Sequence, residues 1–288
     1  MLDEKFLARL DAMRLRMRHP AANNAGGLRR SKALGSSVEF SDFREYAHGD
    51  DIRRLDWNAY ARFDKLFLKL FMEEQEAQVH LILDASASMA FGEPSKWETA
   101  AGLAQALCYL ALIGGDRVTL YAVQGREFQQ TRPLMGRQGM VAAGEFLEKL
   151  LPKGRTELSY VLPRLPIPQG RGMAVVLSDF LSPDGYESAL GSLRYRKQEV
   201  SALQIASRQE LEPELQDAVQ LLDSETGEIL EILASYDVLK RYRKAAADYL
   251  QELRGFCHQN SMSYAMLPAE GDLEKILLRE LARSGLLA

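Results

Sequence analysis

The sequence predicts an α/β fold: a doubly wound, mostly parallel sheet with helices on both faces, preceded by an N-terminal elaboration. Three observations carry this. From residue 77 onward, short apolar runs alternate with longer helical stretches, the order that builds β-α-β units. The run at 173–177 is apolar throughout and that at 79–83 is apolar except for His80, which suits strands buried on both faces. The 288 residues are 47% hydrophobic and 26% charged with a net charge of −4, which excludes intrinsic disorder and leaves room for a sizeable core.

The elements follow in order. Leu2, Phe6, Leu10, Met13 and Met17 recur at three- and four-residue steps, so 2–18 reads as an amphipathic helix that Pro20 stops. Residues 20–37, rich in Ala, Asn, Gly and Ser, read as a loop or linker. Residues 38–76 mix charged and aromatic side chains without a repeating face, which predicts a compact polar network, with 66–72 as a strand. Then come a strand at 79–83, a helix at 97–113 stopped by Gly114-Gly115, a strand at 118–123 and an edge strand at 128–134. A helix at 140–151 ends at Pro152. A strand at 173–177, a helix at 184–195 and a strand at 200–205 follow. Residues 219–222 and 228–232 flank Asp-Ser-Glu-Thr-Gly as a hairpin. A long helix spans 236–258, a last strand 263–267 and a last helix 273–286. The predicted division is 1–76 for the elaboration and 77–288 for the sheet domain.

Charge is uneven along the chain. Residues 1–36 hold eight Lys/Arg against three acids, so a basic arm precedes an acidic body. Phe6 is the one Phe, Tyr or Trp among these charges, which argues against single-stranded nucleic acid as the main ligand. Cys108 and Cys257 cannot form a disulfide framework and read as buried thiols of a reducing compartment. The longest nearly apolar run, residues 100–115, has 16 residues and contains Gln105. A bilayer needs about 20, so the run reads as a buried helix. The N-terminus lacks a signal-peptide core, and the expected compartment is the cytoplasm.

The chemistry concentrates at strand ends, where open parallel sheets bind ligands. The strand at 79–83 runs into Asp84-Ala85-Ser86-Ala87-Ser88. Three oxygen side chains at alternate positions leave a buried strand together, and such hard donors suit Mg²⁺ or Mn²⁺. Gly154-Arg155-Thr156 sits in a loop 72 residues after Asp84, and Asp179 ends the third apolar strand 95 residues after it. In a doubly wound sheet both loops lie beside the first strand's exit.

The set Asp84, Ser86, Ser88, Thr156 and Asp179 resembles the metal-ion-dependent adhesion site of von Willebrand factor A-like domains, which have a Rossmann-like fold. The preceding stretch, Phe40-x-x-Phe43-Arg44-Glu45-Tyr46-x-x-Gly49-Asp50-Asp51-x-Arg53-x-Leu55-Asp56-Trp57-x-x-x-Ala61-Arg62, resembles the signature of domain of unknown function fifty-eight, a family that joins this segment to such a domain. The bland reading of that stretch is an ion-pair network of Arg44, Arg53, Arg54 and Arg62 with Glu45, Asp50, Asp51 and Asp56. The resemblance implies a binding module and no enzyme. The hydroxyls approach a Mg²⁺ or Mn²⁺ ion, the aspartates orient them and balance charge, and a partner's Asp or Glu fills the open position. It further implies a MoxR-type AAA+ ATPase as partner, with this chain as an adaptor or co-chaperone in assembly or maturation of client proteins. The chain has no Gly-x-x-x-x-Gly-Lys-Ser/Thr loop of its own.

The enzyme alternative is a metal-dependent hydrolase using the same ion. Against it, Ser86 stands where phosphatases of the haloacid-dehalogenase type need a second aspartate. A Gly-x-Ser-x-Gly elbow is also absent. His80 lies within a strand, where a core or edge role is expected. The glycines at 136, 139 and 144 miss the dinucleotide-binding spacing and do not follow the first strand.

Overall fold

One six-stranded sheet and two separate antiparallel strand pairs organise the chain in a computed structural model that describes residues 39–48, 55–72, 77–215, 217–281 and 283–286, with Leu10, Leu15, Asp50 and Ile52. The described residues fall into two units. One is the stretch between 39 and 72; the other is 77–286 with Leu10 and Leu15. The helix expected at 2–18 lies outside the described residues apart from those two leucines, both buried in the core of the larger unit. The loop expected at 20–37 also lies outside them.

In the smaller unit, β1 (Glu39–Glu45) pairs antiparallel with β2 (Phe67–Met72), and α1 (Trp57–Phe63) lies between them in sequence. This corrects the expectation of an irregular segment with a single strand. Phe40 and Phe43 stand three apart because the β1 register shifts between Phe40 and Asp42, which erases the two-residue period of a strand. Asp56 caps α1, its Oδ1 accepting the Asn58 and Ala59 amides at 2.9 and 3.2 Å. Of the expected ion-pair network, Arg44 meets Asp50 at 2.7 Å, while Glu45 pairs with Lys65 at 3.0 Å. Asp51, Arg53 and Arg54 lie outside the described residues.

The larger unit is the doubly wound sheet that the alternating pattern predicts. Its strands are β3 (Gln78–Asp84), β4 (Arg117–Gln124), β5 (Glu127–Gln130), β6 (Gly172–Ser178), β7 (Gln198–Ala206) and, after a separate hairpin of β8 (Ala218–Leu222) and β9 (Ile229–Leu233), β10 (Ser263–Pro268). The order is β10-β7-β6-β3-β4-β5, parallel except for β5, which turns back on β4. Alternate side chains of β3 feed two core layers. Val79, Leu81 and Leu83 pack with α2 (Lys96–Ile113) and α3 (Gly136–Glu148) on one face. Ile82 packs in the layer that takes Leu190 and Leu193 of α4 (Glu187–Tyr195) and Leu253 and Cys257 of α5 (Tyr236–Gln259).

Local chemistry explains the element ends. Ser95 caps α2 through a capping box with Glu98. Most of α2 is buried, as the apolar run at 100–115 predicts, and both cysteines are free and buried. The helix expected from 184 starts at Glu187, because Asp184 and Gly185 form a turn with Gly185 at φ 74°. The helix expected at 273–286 is a single turn at Leu273–Lys275 and then a π-helix at Ile276–Leu281. The wider winding places Ile276 and Leu281, five residues apart, in the same core.

His80 takes the core role of the two expected for it. It is buried in β3 with its Nδ1 3.4 Å from the Tyr121 hydroxyl, and its Nε2 has no hydrogen-bond partner. Burial, and then the charge of Arg196, lower its pKa to about 4. The unfolded chain takes up this proton near pH 6.5 and the folded chain refuses it until about pH 4, so stability falls as pH falls through that window. Replacing His80 by Gln removes the linkage. Between about pH 7 and pH 5 the wild type is expected to lose about 2 kcal/mol more than H80Q in urea unfolding.

Candidate metal-binding site

The site is built where the sheet reverses direction. From β3 the chain moves to β4 on one side and later returns to place β6 on the other, so the exits of β3 and β6 flank the topological switch point. The register sets Leu83 beside Leu177. Asp84 and Ser178 follow as neighbours, and Ser178 Oγ donates to Asp84 Oδ2 at 2.6 Å. The Ser86 amide donates to Asp84 Oδ1 at 3.0 Å. Both carboxylate oxygens of Asp84 are thereby aimed, and the side chain is buried.

Beyond Asp84 the chain enters a short 3₁₀ turn, Ala87–Ala90, that brings Ser86 Oγ and Ser88 Oγ to 3.0 Å from each other. This loop is tied to the one bearing Thr156. The Lys153 amide donates to the Ala85 carbonyl at 2.9 Å, and the Ala87 amide to the Gly154 carbonyl at 2.8 Å. Gly154 adopts φ 68°, a conformation that a side chain would strain. Thr156 is buried, and its Oγ1 rests 3.4 Å from the Val123 carbonyl.

Asp179 follows β6 and is over-determined. Its Oδ1 accepts the Leu181 amide at 3.0 Å, and its carbonyl accepts Gln204 Nε2 at 3.0 Å. Its Oδ2 accepts from Lys96 Nζ at 2.7 Å. The next residue, Phe180, is fully buried at φ 60°, a region that side chains rarely adopt. Ser178 Oγ takes the Phe180 amide at 2.8 Å, and Tyr249 donates to its carbonyl. Strain is held there by hydrogen bonds on both sides.

The electrostatics point to a surplus of negative charge. Burial, and next the charge of Asp179, push Asp84 above the usual carboxylate range against the hydrogen bonds of Ser178 and Ser86. Glu225, in the turn of the β8–β9 hairpin, lies within hydrogen-bonding reach of Ser88. Its pKa is raised by burial and by Asp179 and Asp84, against Ser88 and Arg155. Lys96 supplies the buried cation. Burial pulls its pKa down, but Asp179 and Glu210 more than offset this, and the ammonium bonds to both.

Sequence reasoning names Asp84, Ser86, Ser88, Thr156 and Asp179. Hydrogen bonds join Asp84 to Ser86, and Ser86 to Ser88. Asp84 and Asp179 meet through their charges. The Thr156 loop is laced to the β3 exit, with the Thr156 hydroxyl turned to Val123. Four further residues were missed. Ser178 adjoins Asp179 in sequence and is readable as a strand-end oxygen. Lys96, Glu210 and Glu225 carry no local signal, because each arrives from a distant element. Among the described residues, no three His, Cys, Asp or Glu side chains gather closely enough to hold an ion alone. The donor set is mixed, hydroxyls with carboxylates. Among the described residues, no helix is long and apolar enough to cross a membrane.

A doubly wound α/β domain with a carboxylate–hydroxyl cluster at its switch point is the class that this fold and site define. The chain belongs to the family described as protein of unknown function DUF58, whose model matches residues 42–252. It is 28% identical over 264 residues to the uncharacterized protein Mb1516 of Mycobacterium bovis, covering 88% of this chain and 83% of that one. Among solved structures it is similar to the conserved hypothetical protein BatB from Bacteroides thetaiotaomicron, with TM-score 0.45, 17% identity, and coverage of 73% of this chain and 98% of the other. It is also similar to the SpRpn10 VWA domain, with TM-score 0.39, 12% identity, and coverage of 71% and 94%.

The buried cation gives a direct test. Lys96→Met leaves Asp179 and Glu210 facing each other without their counter-charge, and breaking a buried pair from one side costs about 3–5 kcal/mol. Urea unfolding is expected to show that loss. Adding Asp179→Asn to Lys96→Met is expected to recover part of it, because the orphaned charge is then gone.

Proposed function

We propose that this chain is a non-enzymatic protein-interaction module whose partner binding depends on Mg²⁺ or Mn²⁺ held by Asp84, Ser86, Ser88, Thr156 and Asp179. The observation that carries the reading is the paired hydroxyls of Ser86 and Ser88, 3.0 Å apart beside buried Asp84. Adjacent oxygens around an octahedral Mg²⁺ with bonds near 2.0–2.1 Å stand about 2.9 Å apart, so the pair suits two neighbouring positions of one shell. The raised pKa values of Asp84 and Glu225 add a second support: burial raises both first and neighbouring carboxylates add to it, and a bound dication would favour the ionised forms against both.

The roles follow from the donors. Ser86 and Ser88 would hold the ion through their hydroxyls, and Thr156 would join by releasing its long contact to Val123. Asp84 aims Ser86 and balances charge. Asp179, already bonded to Lys96, contributes its charge from a step further out. When bound, the ion supplies a positive charge directed at solvent, which an Asp or Glu of a partner neutralises. The partner class follows the resemblance: a MoxR-type AAA+ ATPase that hydrolyses ATP, with this chain as adaptor or co-chaperone for a client. Binding rather than hydrolysis is favoured by the serines themselves, since among the described residues the Ser86 hydroxyl is paired with Ser88 and with no imidazole base.

Isothermal titration with Mg²⁺ is expected to show binding to the wild type and none to Asp84→Ala, with the variant still folded; unchanged binding would remove the site. Thr156→Ala and Asp179→Ala are expected to weaken it. Co-purification with a neighbouring ATPase is expected to fail with EDTA and with Asp84→Ala. A complex indifferent to both would leave the partnership without a metal bridge.

A further inference from the structure

We infer that Glu225 is an internal ligand of this site: its carboxylate, delivered by the β8–β9 hairpin, takes the position that a partner's Asp or Glu occupies in the bound state. The inference rests on the cation reading above and adds to it a residue and a regulation.

Three observations place Glu225 there. Its side chain is only 17% exposed, although it sits at the tip of a hairpin whose strands are almost entirely exposed, Leu222 and Ile229 at 67% and 63% among them. The Glu225 side chain is therefore turned back onto the domain, while the rest of the tip and nearly all of the stem are exposed. Its carboxylate lies within hydrogen-bonding reach of Ser88 and interacts with the charges of Asp84 and Asp179. Arg155, from the loop that carries Thr156, approaches its Oε2 at 3.7 Å.

The turn is built to present it. Asp223 Oδ1 accepts the amides of Glu225 and Thr226 at 2.8 and 3.0 Å, and Gly227 closes the turn at φ 74° with its amide on the Asp223 carbonyl. The stem, in contrast, is a lone two-stranded pair outside the main sheet, and such pairs are marginally stable on their own. A rigid tip on a weakly held stem can leave the site at low cost. Without a cation, Glu225 faces two like charges. With one, the same carboxylate is attracted and the hairpin closes. A partner carboxylate then binds by displacing it, so the hairpin sets a threshold that only a well-matched partner crosses.

Mn²⁺ is the probe, with affinity read by electron paramagnetic resonance on the full chain and hydrogen exchange read over residues 218–233. In the wild type, Mn²⁺ is expected to slow exchange in the hairpin. Glu225→Gln is expected to weaken Mn²⁺ binding about tenfold, the lower end of the 10–100-fold range typical for losing a group around a metal, and to abolish the protection. Glu228→Gln, on the same hairpin and exposed, is expected to match the wild type. Millimolar acetate is expected to restore Mn²⁺ affinity to Glu225→Ala and to leave the wild type unchanged. If Glu225→Gln keeps both the affinity and the protection while Asp84→Ala loses Mn²⁺, the internal ligand is overturned and the cation site stands. If Asp84→Ala binds Mn²⁺ as the wild type does, the cation site falls and takes the internal ligand with it.

Discussion

The parallel pairing of β3 with β6 is the constraint on which the rest of the molecule depends. It joins the two halves of the sheet at its centre, and it fixes which side chains leave the sheet together. With Leu83 opposite Leu177, the next residues on the two strands are Asp84 and Ser178, and the 2.6 Å hydrogen bond between them follows from that register. A slip of one residue would exchange the faces of β6 and separate these two oxygens. The buried apolar layers on both faces, Val79, Leu81 and Leu83 on one and Ile82 on the other, make such a slip costly. The geometry of the polar edge is thus held by the packing of the apolar centre.

What the edge must then manage is charge. Asp84 leaves its strand nearly removed from water, and burial, then the charge of Asp179 at the neighbouring exit, make its ionisation costlier. The fold answers with hydrogen bonds to each carboxylate oxygen of Asp84 and with one buried ammonium, Lys96, shared between Asp179 and Glu210. That leaves Asp84 and Glu225 with raised pKa values and no comparably buried cation of their own. The strained backbone at Phe180, pinned by Ser178 and Tyr249, belongs to the same arrangement, because it sets the direction in which Asp179 leaves the strand.

The two strand pairs outside the main sheet play different parts. In the smaller unit, β1 and β2 with the capped helix α1 form the charged and aromatic segment in which the family match begins. Of its charges, Arg44, Asp50 and Asp56 serve the local fold, through one ion pair and one cap. The β8–β9 hairpin belongs to the sheet unit, and its stem buries little. Its least exposed charge is Glu225. An element with low packing energy and a tip facing a charged cluster is the kind of part that a protein moves without unfolding.

The sequence by itself determined the α/β order, the apolar core strands, the buried α2 run with its Gly114-Gly115 stop, and five oxygen-bearing residues at strand and loop ends. Those features are written in local periodicity, in capping residues and in short spacings, each of which depends only on near neighbours along the chain. It missed β1 and overextended the last helix, because a bulge and a π-turn break the periods that reveal strands and helices. Tertiary structure alone decided that Lys96 would neutralise Asp179, that Ser178 would aim Asp84, and that Glu225 would come to Ser88. These contacts join residues 83, 94 and 137 positions apart. Long-range electrostatics at a sheet edge is set by strand order and register, and neither is encoded in any local stretch of the chain.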